Sequence, residues 1–345
     1  MYRHLLVPID DSGLSTDVVS DAVGLALAVG ARITFFHAAP DHASSWRGDA
    51  DVVRLTSRDE YVYAFSGKAR ELLAKAEAAA HAHGVPCDAV QVVHQRPAAA
   101  IVEVARAHQC DLIFMASHGR GGRLGMALTS ETLSVLRTAG LPVLVSATRD
   151  PQTPARAIGI IRDEHRSLAA VMHAWMHALA SSRTEGAPVD PALTHAIIRY
   201  IRTFPVALHH PKEEEHLFRR LRQRTDTVNA DLDELERQHE RDRELVAELA
   251  RLAETLTSAA DERAAADAAR ALEDAVHAYA SFLWAHLGRE ESVILPAAQR
   301  HLTETDWSAI DAAFEANRDP GFAGETEKQY RQLFSRIVNA AKDWP

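Results

Sequence analysis

Cysteine is nearly absent: the 345 residues contain two, Cys87 and Cys110. Neither belongs to a CxxC pair, which argues against a disulfide framework and a thiolate zinc site, and two sparse thiols fit a reducing cytoplasm. Basic charge is not in excess either. The net charge is −10; residues 1–150 carry 14 Lys and Arg against 16 Asp and Glu, and the remainder 24 against 32. An acidic second half offers no basic face to neutralise phosphates, which argues against a nucleic-acid partner, and it does not repel cations. No apolar run approaches the roughly 20 residues of a membrane-spanning helix. The opening MYRHLLVPIDDS has a short apolar run broken by Asp10 and Asp11, unlike a signal peptide. The expectation is a cytoplasmic protein with no membrane partner. No GK[ST] is present, so there is no P-loop.

What is there divides into two halves. Short apolar runs rich in branched residues lie at 4–9, 32–38, 88–93, 111–116 and 142–146, with helical stretches near 13–29, 59–84, 97–108 and 130–139. Runs that are apolar throughout suit strands covered on both faces, and strict alternation with helices predicts an α/β doubly wound parallel five-stranded sheet over residues 1–147. A polar segment with two prolines, 148–156, reads as a linker. Strand patterns then vanish. Residues 157–181, 190–224, 226–257 and 261–301 have helical period, with shorter helices expected from Thr305 and Gly324, so 157–345 reads as an all-α four-helix up-down bundle with extra C-terminal helices. Asp190 and Pro191 suit a helix start, whereas Pro205 and Pro211 should kink or split the second helix.

Two His-x-x-x-Glu steps stand out in the helical half, His210 to Glu214 and His286 to Glu290. Residues four apart on a helix share a face, so each step aims an imidazole and a carboxylate at one point. Single histidines, His165 and His239, sit in the other two long helices. Measured at ~1.5 Å per residue from the breaks between helices, the four stretches match in height to about 5–10 Å and can meet in one layer. Imidazole with carboxylate suits iron, manganese or zinc. The remaining histidines, among them His173, His177, His195, His209, His216, His277 and His301, read by default as core or surface residues. So do the helical aromatics Trp175, Tyr200, Phe204, Tyr279 and Trp284, and Cys110 reads as a buried thiol.

The segments RDEHRSL, HHPKEEEHLF, LERQHERD and HLGREESVILP resemble the hemerythrin-like, HHE cation-binding domains. The resemblance covers roughly 157–342 and implies a non-haem di-iron centre bridged by two carboxylates, with His165, His210, Glu214, His239, His286 and Glu290 as ligands. Arg243 stands where oxygen-carrying members have a second third-helix histidine, so one iron would lack a nitrogen ligand. That place could take water, a substrate, Glu213 or Glu240, and an open position favours reactivity or sensing over oxygen carriage. Glu291 is an alternative to Glu290, and His209 with Glu213 is a shifted alternative to His210 with Glu214. Leu217 and Phe218, expected to cover the site, favour the His210 register.

In the first half, the loop ASHGRGGRLGMALTS follows the fourth strand. Glycine-rich strand-to-helix loops bring backbone N–H groups and a helix start to phosphates. Arg120 and Arg123 add charge, Ser130 is placed to cap a helix or donate to a phosphate, and Asp10 ends the first strand, where such sheets bind ligands. With HLLVPIDDS and SETLSVLRTAGLPVLV, this half resembles the universal stress protein family over about 1–147. Nucleotide-binding members carry G-x2-G-x9-G-[ST]; Ala116, Gly119, Thr129 and Ser130 occupy those positions, so two glycines are replaced. The candidate ATP-binding set is Asp10, Ala116, Gly119, Arg120, Gly122, Thr129 and Ser130. The resemblance also implies a homodimer through strand 142–146. The combined reading is a stress-response protein whose di-iron site senses or binds dioxygen, nitric oxide or peroxide, joined to an ATP-binding or dimerising domain. The alternatives are a di-iron enzyme acting on peroxide or nitric oxide, for which no dedicated acid or base is evident, and a metal store.

Overall fold

The computed structural model describes residues 2–10, 14–39, 58–117, 130–147, 156–185, 188–315 and 333–338. Contacts divide the chain into two compact units, between Pro151 and Gln152. No helix among the described residues is long and apolar enough to cross a membrane.

The first unit runs β1 (His4–Pro8), α1 (Leu14–Val29), β2 (Arg32–Ala39), α2 (Arg58–Ala82), β3 (Cys87–Val93), α3 (Pro97–Ala107), β4 (Leu112–Ser117), α4 (Ser130–Thr138) and β5 (Val143–Ala147). All pairings are parallel, in the order β3-β2-β1-β4-β5. Successive strand residues point to opposite faces, and both faces are apolar. Leu5, Val7, Ile33, Phe35, Leu112 and Phe114 pack with α1 and α2, whereas Leu6, Phe36, Ile113 and Met115 pack with α3 and α4. That two-sided burial is why these strands read as continuous apolar runs. Gly30 and Gly84 end α1 and α2 at φ of +68° and +67°, a conformation that costs glycine little. The chain reverses direction across the sheet between β1 and β4, and Asp10 and Ala116 lie at the carboxyl ends of those two adjacent strands.

The second unit is helical. α5 (Arg156–Glu185) is followed by α6 (Pro191–Thr203), capped by Asp190, whose carboxylate accepts from the Ala192 N–H at 2.8 Å. The chain continues through a π turn (Pro205–His209), α7 (His210–Lys212), a second π turn (Glu213–Phe218) and α8 (Arg219–Arg224). α9 (Asn229–Thr257) and α10 (Glu262–Arg289) complete the bundle. A third π turn (Glu290–Ile294) leads into α11 (Leu295–His301), and α12 (Glu304–Glu315) follows. The packed pairs α5–α6, α6–α9, α9–α10 and α10–α5 close a four-helix ring. Pro205 and Pro211 cannot donate to the helical ladder, and the His209 N–H reaches the Phe204 carbonyl five residues back. The break expected at these prolines is thus a pair of π turns flanking His210. Thr303 and Asp306 cap α12 reciprocally, and Arg224 binds the Asp306 carboxylate at 2.8 and 3.1 Å.

Candidate metal centre

Inside the bundle lie two groups of donor atoms, each within 4.8 Å of one another: His165, His209, Glu213 and Glu290 in one, and His210, His239 and His286 in the other. All seven side chains are buried. α5 supplies His165, the first π turn His209, the start of α7 His210, the second π turn Glu213, α9 His239, α10 His286 and the third π turn Glu290.

The two carboxylates join the groups. Glu213 Oε1 lies 3.3 Å from His209 Nε2 and 3.9 Å from His165 Nε2, while its Oε2 lies 3.7 Å from His239 Nε2. Glu290 Oε2 lies 3.1 Å from His165 Nε2, and its Oε1 lies 3.4 Å from His286 Nε2 and 3.8 Å from His239 Nε2. Each carboxylate thus shows one oxygen to each histidine group. Two donors held at ~2.1 Å by one cation would lie about 3.0–3.4 Å apart, depending on the angle between them. The shortest of these spacings fit that range.

These close approaches are not aligned as hydrogen bonds. The Nε2 atoms of His165, His209, His239 and His286, Oε2 of Glu213 and both oxygens of Glu290 are buried with no hydrogen-bond partner in the protein. A buried polar atom without a partner costs roughly 1–3 kcal/mol, and seven of them converging on one layer fit a cation-binding centre. The opposite ring nitrogens are satisfied. Nδ1 of His165, His209, His239 and His286 meets Glu291 at 3.0 Å, Glu164 at 2.7 Å, Glu214 at 2.7 Å and Gln238 at 3.0 Å. Such outer partners fix the tautomer of a ligating imidazole and orient its ring.

Charge in the layer is finely divided. Burial pulls His286 down to about 4, and burial with the neighbouring His239, His286 and His209 depresses His210. Burial opposes charge on His239 too, but Glu214, Glu290 and Glu213 push it up to about 10. Burial and the adjacent Glu290 raise the Glu213 carboxyl.

Of the six ligands expected from the sequence, His165, His210, His239, His286 and Glu290 come together, and Glu214 does not. Glu214 has a side chain 37% exposed and supports His239 from outside, while Glu213 points inward. His209, expected in the core or on the surface, joins the centre together with His210 rather than instead of it. A π turn takes more residues per turn than an α-helix, so a face counted at 3.6 residues drifts, and two consecutive histidines both turn inward. With His209 added, five histidines stand in the centre, one more than the sequence predicts with Arg243 in place of a histidine; Arg243 itself is exposed. Glu290 is inside, with Glu291 behind His165. Leu217 and Phe218 are both buried, and Phe218 stacks on His239 at 5.8 Å, although the register they favour in the sequence does not hold at Glu214. The signal for His209 and Glu213 is in Pro205 and Pro211, which mark where regular helix spacing fails.

Of the candidate nucleotide residues, Asp10 and Ala116 stand at neighbouring strand ends and Ser130 begins α4. Gly119, Arg120, Gly122 and Thr129 lie outside the described residues.

Residues 1–146 match the universal stress protein family, and residues 156–298 match the hemerythrin HHE cation binding domain. A "Universal stress protein in QAH/OAS sulfhydrylase 3'region" from Thermus aquaticus is 30% identical over 148 residues, spanning 42% of this chain and 98% of that protein. Among solved structures, a universal stress protein family member from Burkholderia pseudomallei is 24% identical, with 42% of this chain and 96% of that one covered and a TM-score of 0.34. A universal stress protein from Archaeoglobus fulgidus in complex with dAMP is 18% identical, with 42% and 97% covered and a TM-score of 0.31.

Proposed function

The chain belongs to the universal stress protein family and carries a hemerythrin HHE cation-binding domain behind it, and from that premise we propose that its helical unit holds two iron ions and senses or binds dioxygen, nitric oxide or peroxide. The observation that carries this reading is the convergence of seven buried, unpartnered donor atoms with two carboxylates reaching both histidine groups. His210, His239 and His286 would hold one ion, His165 and His209 the other, and Glu213 and Glu290 would bridge them. Iron bound there supplies reversible redox chemistry and an affinity for small diatomic and peroxide ligands. The protein's own contribution is asymmetry and dryness. The two-histidine group has one imidazole fewer, which makes it the side with room for an added ligand, and all seven side chains are buried, with Phe218 stacked on His239.

The test is a visible spectrum of the reduced, iron-loaded protein before and after each of the three small molecules is added under nitrogen. A new band with dioxygen, nitric oxide or peroxide supports sensing or binding. An iron-loaded protein silent to all three refutes it and leaves a metal store.

The α/β unit is proposed to bind ATP or to dimerise. Asp10 and Ala116 flank the point where the strand order reverses, the place where open parallel sheets take ligands. β5 is an edge strand with Leu144 38% exposed, and Leu133 and Leu136 of α4 are exposed as well, which supports pairing with a second copy. ATP titration and sedimentation of the purified protein check the two properties separately; a monomer that takes up no ATP removes both.

A further inference from the structure

Four of the five histidines in the centre share one pattern: Nε2 faces inward, and Nδ1 meets an outer carboxylate or amide at 2.7–3.0 Å. His210 is the fifth. Its ring stacks on His239 at 4.0 Å, nearly parallel, and its Nδ1 is buried without a hydrogen-bond partner. The acid nearest that nitrogen is Asp242, with Oδ2 at 3.8 Å. Asp242 lies on α9 about one turn beyond His239 and is as buried as the ligands. The outer partner Glu214 is 37% exposed and reaches solvent; Asp242 does not. Its own support comes from α10. The buried Tyr279 hydroxyl faces the Asp242 carboxylate, close enough for each to shift the other's ionisation, though without a short, well-aligned hydrogen bond. Asp242 Oδ1 and the Tyr279 hydroxyl are both buried without a hydrogen-bond partner.

We infer that Asp242 and Tyr279 form a buried positioning pair that orients His210. This rests on the two-cation reading of the centre. His210 comes from a short helical stretch between two π turns. Asp242 is placed to accept from the His210 Nδ1–H on closing from 3.8 Å, which would leave the other ring nitrogen for the cation. Tyr279 donates its phenolic proton toward the carboxylate and holds it at the right height. With a cation held at the opposite ring nitrogen, the His210 Nδ1–H would be a stronger donor to Asp242, whose Oδ2 lies 3.8 Å away. The sequence places Tyr279 about two turns before His286, but the partner it serves is on the facing helix.

Cobalt(II) alone, titrated into the full chain against a chelator, tests this, because its visible bands report each binding step. The unmodified protein is expected to take two ions in two resolved steps. Tyr279→Phe and Asp242→Asn should each weaken one step by about tenfold or more and leave the other unchanged. The double variant should be no worse than Asp242→Asn alone, since the two residues act in series. Unchanged affinity at both steps, or equal weakening of both, overturns the pair even if two ions still bind. If Asp242→Asn fails to fold, the Tyr279→Phe result decides. An unmodified protein that binds no cobalt fails the two-cation reading itself, a distinct result.

Discussion

His209 and His210 are consecutive in the chain, yet they belong to different donor groups: His209 stands with His165, and His210 stands with His239 and His286. In a regular α-helix, neighbours point about 100° apart and rarely serve one buried layer together. The flanking π turns change that phase, and the pair delivers one imidazole to each half of the centre.

His209→Ala and His210→Ala are therefore expected to lose different ions. Each should lower metal content from about two ions per chain toward about one, with the loss at the two-histidine side for His209→Ala and at the three-histidine side for His210→Ala. Elemental analysis with cobalt spectra of each variant checks this. Loss of both ions from either variant, or of neither from both, contradicts the division.

Adjacent carboxylates should behave unequally. Glu213→Ala removes a group that reaches both halves and should abolish two-ion binding. Glu214→Ala removes only the outer partner of His239 and should weaken binding by about tenfold to a hundredfold with two ions still bound at saturation. The reverse order would restore the register in which Glu214 is the ligand.

The unpartnered buried donors make metal a stabiliser of the fold. Thermal unfolding should shift upward as metal is added, by an amount corresponding to about 2.7 kcal/mol at a hundredfold excess over the dissociation constant, and shift back with chelator. A transition indifferent to both means the layer is satisfied without a cation.

The two thiols should be inert in the native protein. Burial, with Glu77 and Asp88 nearby, pushes Cys87 up to about 12, and burial pushes Cys110 up to about 11. At pH 8 the thiolate fractions are then about 10⁻⁴ and 10⁻³. Both should react with a thiol reagent far more slowly in the native protein at pH 8 than after unfolding, and native reactivity should climb as pH rises above about 10. Rapid labelling of buried Cys110 in the native chain at pH 8 would contradict this; half-buried Cys87 is held back by its raised pKa.

Most of this architecture was legible because it obeys regular periods. The strands at Leu5–Val7 and Ile33–Phe36 are buried on both faces and read as unbroken apolar runs, and α9 and α10 place His239 and His286 where a 3.6-residue period puts them. The centre was misread only where the period fails. Counting by four from His210 reaches Glu214, but the chain around it is π-helical and buries Glu213 instead. Outer partners such as Glu164, Gln238 and Asp242 were not legible at all. Their roles depend on contacts between helices, and nothing in local sequence distinguishes them from ordinary surface charges.

The central claim is that one protein chain holds two cations between His165, His209, His210, His239, His286, Glu213 and Glu290. The most direct measurement is metal content by elemental analysis, with a visible and near-ultraviolet spectrum, on protein purified under low oxygen and then exposed to air. About two irons per chain, with new near-ultraviolet absorption on oxidation, is the predicted result. A folded protein carrying no metal, or zinc alone with a colourless and redox-silent spectrum, would contradict it.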